Sequence, residues 1–152
     1  YLRELVKHHI SGQLKIAPEH TQPEVLERMR KPDKSKLLAF KKQFEDLDEN
    51  TRQKQFLSYY LIAAYPGCTL GDMHALKRFA SKELGVLPDQ VQVFTPTPST
   101  YASVMYYTEK DPFTGEKLFV EKNPAAKKQQ KEVITGRSKP PKSHQRRYKK
   151  SK

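Results

Sequence analysis

Residues 56–64, Phe-Leu-Ser-Tyr-Tyr-Leu-Ile-Ala-Ala, form a nearly continuous apolar and aromatic run in a chain that is 30% charged. Such a run suits a strand covered on both faces, as in a parallel sheet. Two shorter segments share its character. Residues 13–17 alternate polar and apolar, and Pro18 is expected to stop them. Residues 91–95, Val-Gln-Val-Phe-Thr, read as a third strand closed by Pro96-Thr97-Pro98.

Helical patterns separate these strands. Leu2, Leu5 and Val6 sit at helical spacing. Thr21-x-x-Glu24 reads as a capping box with Pro23 in the first turn, followed by Val25, Leu26 and Met29 on one face. Asp33 or Ser35 can cap the next helix, whose stripe is Leu37, Phe40, Phe44 and Leu47. A further helix is capped by the Thr69–Asp72 stretch, carries Leu70, Met73, Leu76, Phe79 and Ala80, and meets a left-handed cap at Gly85. Residues 101–107 suit a short helix or an irregular segment equally, and Asp111 to Gly115 make a turn.

Strands separated by helices predict an α/β fold with parallel pairing and right-handed crossovers. Three strands are too few for a closed barrel and suit half of one. The expectation is a partial (β/α) barrel half over residues 1–98, an irregular extension over 99–124 and a disordered basic tail over 125–152. Charge supports the last boundary. Residues 1–120 hold 17 Lys/Arg against 15 Asp/Glu, whereas residues 121–152 hold 12 against 2, so most of the net charge of +12 belongs to the tail. A stretch so poor in apolar residues is expected to bury too little surface to fold.

A single cysteine, Cys68, excludes a disulfide framework and any thiolate cluster built from this chain alone. No apolar run approaches a membrane span. The opening Tyr-Leu-Arg-Glu-Leu-Val places charges where a signal peptide is apolar and reads as the middle of a helix. The chain is therefore expected to be a piece of a longer, cytoplasmic protein.

Ligands of such folds meet the loops at the C-terminal ends of the strands. Here these are Ala17-Pro18-Glu19-His20, Tyr65-Pro66-Gly67-Cys68-Thr69 and Thr95-Pro96-Thr97-Pro98-Ser99-Thr100. Pro stiffens each loop, Gly67 permits close backbone approach, and Glu19 is the one carboxylate among them. It can accept hydrogen bonds from ribose hydroxyls or pair with an amino group. The plain alternative is that Pro and Gly merely shape strand-to-helix turns.

Three segments add a resemblance. Ser11 to His20 resembles the fourth-strand segment of YgiQ-type radical S-adenosylmethionine (SAM) proteins. Tyr65-Pro66-Gly67-Cys68-Thr69-Leu70 is similar to their Pro-Gly-x-Thr segment after the fifth strand, and residues 90–98 to their sixth strand and its Pro-rich end. The similarity continues through Met105-Tyr106-Tyr107-Thr108 and Asp111-Pro112 to Asn123-Pro124, about residues 1–130 in all. The resemblance implies a 4Fe–4S cluster and SAM in the intact protein, acting on an unknown substrate. It implies that Glu19 faces the ribose or methionine part of SAM, that Pro66 and Gly67 flank the adenosine, and that Pro96, Thr97 and Pro98 line the adenine side. The family's Cys-x-x-x-Cys-x-x-Cys loop is absent from these residues, and Cys68 cannot replace it.

The remaining candidates have ordinary readings. Cys68 reads as a packing residue, the histidines show no metal-ligand spacing, and His20 is of interest only for its place beside Glu19. Lysine and arginine pairs in the tail can neutralise RNA phosphates, so a non-catalytic RNA- or ribosome-binding module is the alternative. A third possibility is another β/α enzyme whose strand-end loops hold a phosphate-bearing ligand.

Overall fold

All three apolar segments are strands, and they run in one direction. The computed structural model describes residues 1–49, 54–86 and 90–136. Within it β1 (Gln13–Glu19), β2 (Phe56–Ala63) and β3 (Gln90–Val93) form a single parallel sheet in the order β1-β2-β3. Parallel neighbours require crossovers. After α1 (Leu2–His8), the β1-to-β2 connection contains α2 (Pro23–Arg28) and α3 (Lys34–Asp48), and α4 (Leu70–Phe79) lies between β2 and β3. The α/β class with parallel strands is as expected.

One face of the sheet is packed. Leu61, Ala63 and Val91 join Met73 and Leu76 of α4, Met105 of α5 (Tyr101–Thr108) and Ile134 in the main core. Val6, Ile10 and Phe44 tie α1 to α3, while Tyr59 packs with Ala80 and Leu84 in the π-helical turn that prolongs α4. Gly85 ends this turn at φ 72, the left-handed cap its position predicts.

The other face carries Lys15, Ser58, Tyr60, Gln90 and Gln92, of which Lys15, Gln90 and Gln92 are exposed. Among the described residues, that face of β2 is only partly covered: Phe56 is 56% exposed, and Ser58, Tyr60 and Ile62 are half-buried. Tyrosines lengthen an apolar run without requiring full burial, because their hydroxyls tolerate water.

Three local expectations also change. Pro18 does not end β1; the strand continues to Glu19 through a register shift after Ile16, a bulge that accommodates a residue lacking an N–H. Thr21 does not cap α2. Gln22 takes that position with no side-chain bond, and Thr21 is buried with its hydroxyl unpartnered among the described residues. Asp33 does cap α3, accepting from the Ser35 N–H, and Thr69 and Asp72 form a reciprocal capping box on α4.

The largest correction concerns the expected tail. Pro124–Thr135 is a helix, α6, that packs on α4 and β3 and places Ile134 in the main core at 0% exposure. Asn123 caps it by accepting from the Ala125 and Ala126 N–H groups, Pro124 opens it, and Gly136 closes it at φ 60. A short docked helix needs only one or two well-placed apolar residues when neighbours supply the rest of the core. The remainder of the expected tail, residues 137–152, lies outside the described residues.

Candidate functional site

Parallel strands put all their C-terminal ends on one edge, so the three Pro-bearing turns leave the sheet side by side, with the β2 turn in the middle. Tyr65 joins them. Its ring meets Phe94 edge-on at 5.2 Å between centroids, its hydroxyl donates to the Arg28 carbonyl at 3.3 Å, and its phenol is pushed up to about 12 by burial and by the nearby Glu19 carboxylate.

Glu19 sits at the β1 end with φ 66, a left-handed conformation that costs an ordinary residue energy and is set by the bulge. Its carboxylate lies 3.1 Å from Lys31 Nζ, which also donates to the Ala17 carbonyl at 2.8 Å. The side chain retains 24% exposure at the rim.

Pro66 and Gly67 are in the middle turn, and neither offers a free N–H. Pro66 is buried. Gly67, at φ 87, donates its N–H to the Phe119 carbonyl at 2.7 Å, and a Cβ there would stand 2.9 Å from Arg28 Nη1. The close approach that Gly67 permits is made by Arg28 of α2. Pro96 is half-buried, while Thr97 and Pro98 are exposed; the Thr97 carbonyl accepts from the Thr100 and Ser103 hydroxyls at the start of α5.

Behind the rim runs a buried polar chain. His20 Nδ1 accepts from the Gln22 N–H at 3.0 Å, which leaves Nε2 as the protonated nitrogen, 3.5 Å from Cys68 Sγ. Gln130 Oε1 accepts from the Ala64 N–H at 2.9 Å, and its Nε2 donates to the Cys68 carbonyl at 3.3 Å. Burial lowers the His20 pKa to about 4 and raises that of Cys68 to about 12. A neutral imidazole beside a protonated, fully buried thiol is the opposite of an activated cysteine pair. Cys68 and His20 are structural, as the sequence reading of Cys68 anticipates.

Two cavities lie near the rim. One, of about 290 Å³, is lined by Ile16, Pro18, Leu26, Lys31, Leu37 and Phe40. The other, of about 310 Å³, lies between α2 and the extension around Arg28, Arg30 and Phe113. Neither is lined by Glu19, Pro66, Gly67, Pro96, Thr97 or Pro98. Among the described residues no group of His, Cys, Asp or Glu is placed to hold a metal ion, and no helix is long and apolar enough to cross a membrane. The residues expected to contact RNA lie mostly in 137–152, outside the described part.

Sequence reasoning missed Lys31, Arg28, Phe119 and Gln130, the groups that fix the first two turns. Nothing local marks Gln130, which sits between lysines and glutamines in a polar stretch.

Comparison with known proteins decides the relationship. A UPF0313 protein of Fusobacterium nucleatum is 59% identical over 139 residues, 91% of this chain. Over nearly all of its length, this chain is similar to UPF0313 proteins. Those of Thermotoga maritima, at 44% identity over 134 residues, and Methanosarcina acetivorans, at 43% over 138, extend the similarity. The chain spans 24% of the length of the Fusobacterium and Thermotoga UPF0313 proteins and 18% of the Methanosarcina one. UPF0313 is the YgiQ-type family, so the similarity agrees with the YgiQ-type part of the resemblance drawn from the three strand-end segments, and the radical SAM part belongs to the proposal below. Residues 89–145 also match a domain of unknown function, DUF3362, a span that runs from β3 through α6.

Proposed function

We propose that this UPF0313-like chain supplies one wall of the SAM and substrate site of a cytoplasmic radical SAM enzyme. The observation that carries the reading is the gathering of three Pro-bearing turns on one edge of a parallel sheet, tied by Tyr65 and bordered by a part-exposed carboxylate. Ligands of open and closed β/α folds are bound at such an edge.

The residues fit the two implied groups unequally. A 4Fe–4S cluster does not fit: its ligands are thiolates, and the one thiol here is buried and held protonated. The cluster therefore belongs to other parts of the protein, and no step is assigned to this chain through it. SAM fits in part. Glu19 has a part-exposed side chain whose carboxylate could meet ribose hydroxyls or an α-amino group, and Thr97 with Pro98 offers an exposed wall. Pro66 and Gly67 would act by shaping the turn, since Pro66 is buried and the Gly67 N–H is held by the Phe119 carbonyl. The chemistry that bound SAM supplies in such enzymes is a 5′-deoxyadenosyl radical that takes hydrogen from a substrate. This chain's residues bind and orient; the face bearing Lys15, Tyr60, Gln90 and Gln92 would look into the enclosed space.

The test is SAM binding by the full-length, cluster-loaded protein. Glu19→Ala is expected to weaken binding about tenfold, the scale of a lost charge-assisted hydrogen bond. Lys31→Met removes the partner but keeps the carboxylate, so it should weaken binding much less. Equal effects of the two changes would assign Glu19 a structural role, and a wild-type protein that does not bind SAM would end the reading.

A further inference from the structure

We infer that the segment from Glu109 to α6 is a clamp that sets the shape of the rim turn over residues 64–68, with Gln130 as its positioning residue. Its functional consequence rests on the proposed SAM site, whereas the clamp itself rests on geometry.

Ala64 holds φ 58, a conformation unfavourable for any residue with a Cβ, and its N–H points away from the sheet ladder. Gln130 reaches from α6 to accept from that N–H at 2.9 Å and to donate to the Cys68 carbonyl at 3.3 Å. One side-chain amide thus bridges the first and last residues of the turn. Between them, Gly67 gives its N–H to the Phe119 carbonyl at 2.7 Å. The extension therefore grips the central strand-end turn at three backbone positions. Gln130 is 2% exposed, the one buried polar residue of α6, although burying an amide is costly unless both of its ends are paired. Ile134, at 0% exposure, already anchors α6 in the core, so adhesion of the helix does not require the amide. An apolar residue of similar size would fill the space and leave two buried backbone groups unpaired. By this clamp, residues matched by a domain of unknown function hold the middle of the ligand edge in place.

The experiment follows hydrogen–deuterium exchange of a peptide covering residues 61–68, together with SAM affinity, in the full-length protein. Gln130→Met should speed exchange in the turn roughly tenfold or more and weaken SAM binding by a similar factor. Gln130→Glu supplies the control within a single protein. Its buried acid, once protonated, offers one acceptor and one donor as the amide does, so both readouts should return towards wild type as pH falls from about 8 to about 6. Unchanged exchange in Gln130→Met would overturn the clamp, and faster exchange with unaltered SAM affinity would overturn its functional consequence. If Gln130→Met loosens the whole sheet, the pH response of Gln130→Glu decides, and no recovery overturns the proposal. If the wild-type protein binds no SAM, the rim reading fails by itself and the exchange arm still judges the clamp.

Discussion

Lys15 Nζ donates to Gln90 Oε1 at 2.7 Å, so a side chain of β1 spans the sheet to reach β3. It passes over β2 beside Ser58, its register partner. On the same face the Tyr60 hydroxyl donates to Gln92 Oε1. The open face is thus tied side to side by polar groups rather than by apolar packing.

Ser58 lies under this bridge with its hydroxyl buried and unpartnered among the described residues. Removing an unsatisfied buried hydroxyl relieves a desolvation cost. Ser58→Ala is expected to leave stability unchanged or raise it by up to about 1 kcal/mol in urea unfolding. A loss of that size instead would reveal a partner for the hydroxyl.

The His20 pKa falls from 6.5 to about 4 on folding, chiefly through burial. The unfolded chain then binds more protons than the folded one between those values. Stability from neutral His20 is complete above about pH 6.5, declines as pH drops, and is lost by about pH 4, with a total of roughly 3 kcal/mol. His20→Gln should flatten this part of the stability-against-pH curve relative to wild type. Parallel curves for the two proteins would contradict the burial of a neutral imidazole.

Gly67 combines φ 87 with contact against Arg28. Gly67→Ala should cost about 1–3 kcal/mol, from backbone strain and from displacement of the guanidinium. Adding Arg28→Ala should recover the steric part and leave the strain, so a double-mutant cycle would give a coupling of about 1 kcal/mol. Strict additivity would mean that Arg28 yields freely.

Ile134 has no exposed surface and packs with Met73, Leu76 and Val91. Ile134→Ala is expected to cost about 2–4 kcal/mol, the range for a large-to-small change in a core. A negligible change in the unfolding midpoint would return α6 to the status of a solvated tail.

Much of the architecture was legible in the residues because it rests on local signals. Asp33, the Thr69/Asp72 box and Gly85 act within one helical turn, and each caps or ends its helix as read. Thr21 shows the limit. Its Thr-x-x-Glu pattern is satisfactory locally, yet the bulge in β1 and the burial of His20 carry it into the interior, and the helix begins one residue later. The signals for α6 were equally local, an Asn-Pro start and a Gly end, but they sat in a basic stretch with few apolar residues.

The candidate site was legible as three turns and not as contacts. Strand order alone brings residues 19, 66–67 and 96–98 to one edge. What each side chain does there depends on residues distant in sequence: Lys31 on Glu19, Arg28 and Phe119 on Gly67, Gln130 on Ala64 and Cys68.

The chain's order of apolar runs, helix caps and Pro-bearing turns determined its α/β class, its parallel pairing and the edge on which those turns gather, because periodicity and capping act over a few residues. Tertiary structure alone decided which face of the sheet stays open, that α6 docks, and that the middle turn is gripped from the extension. Those outcomes depend on burying a few side chains against partners tens of residues away, and no short-range pattern encodes such pairings.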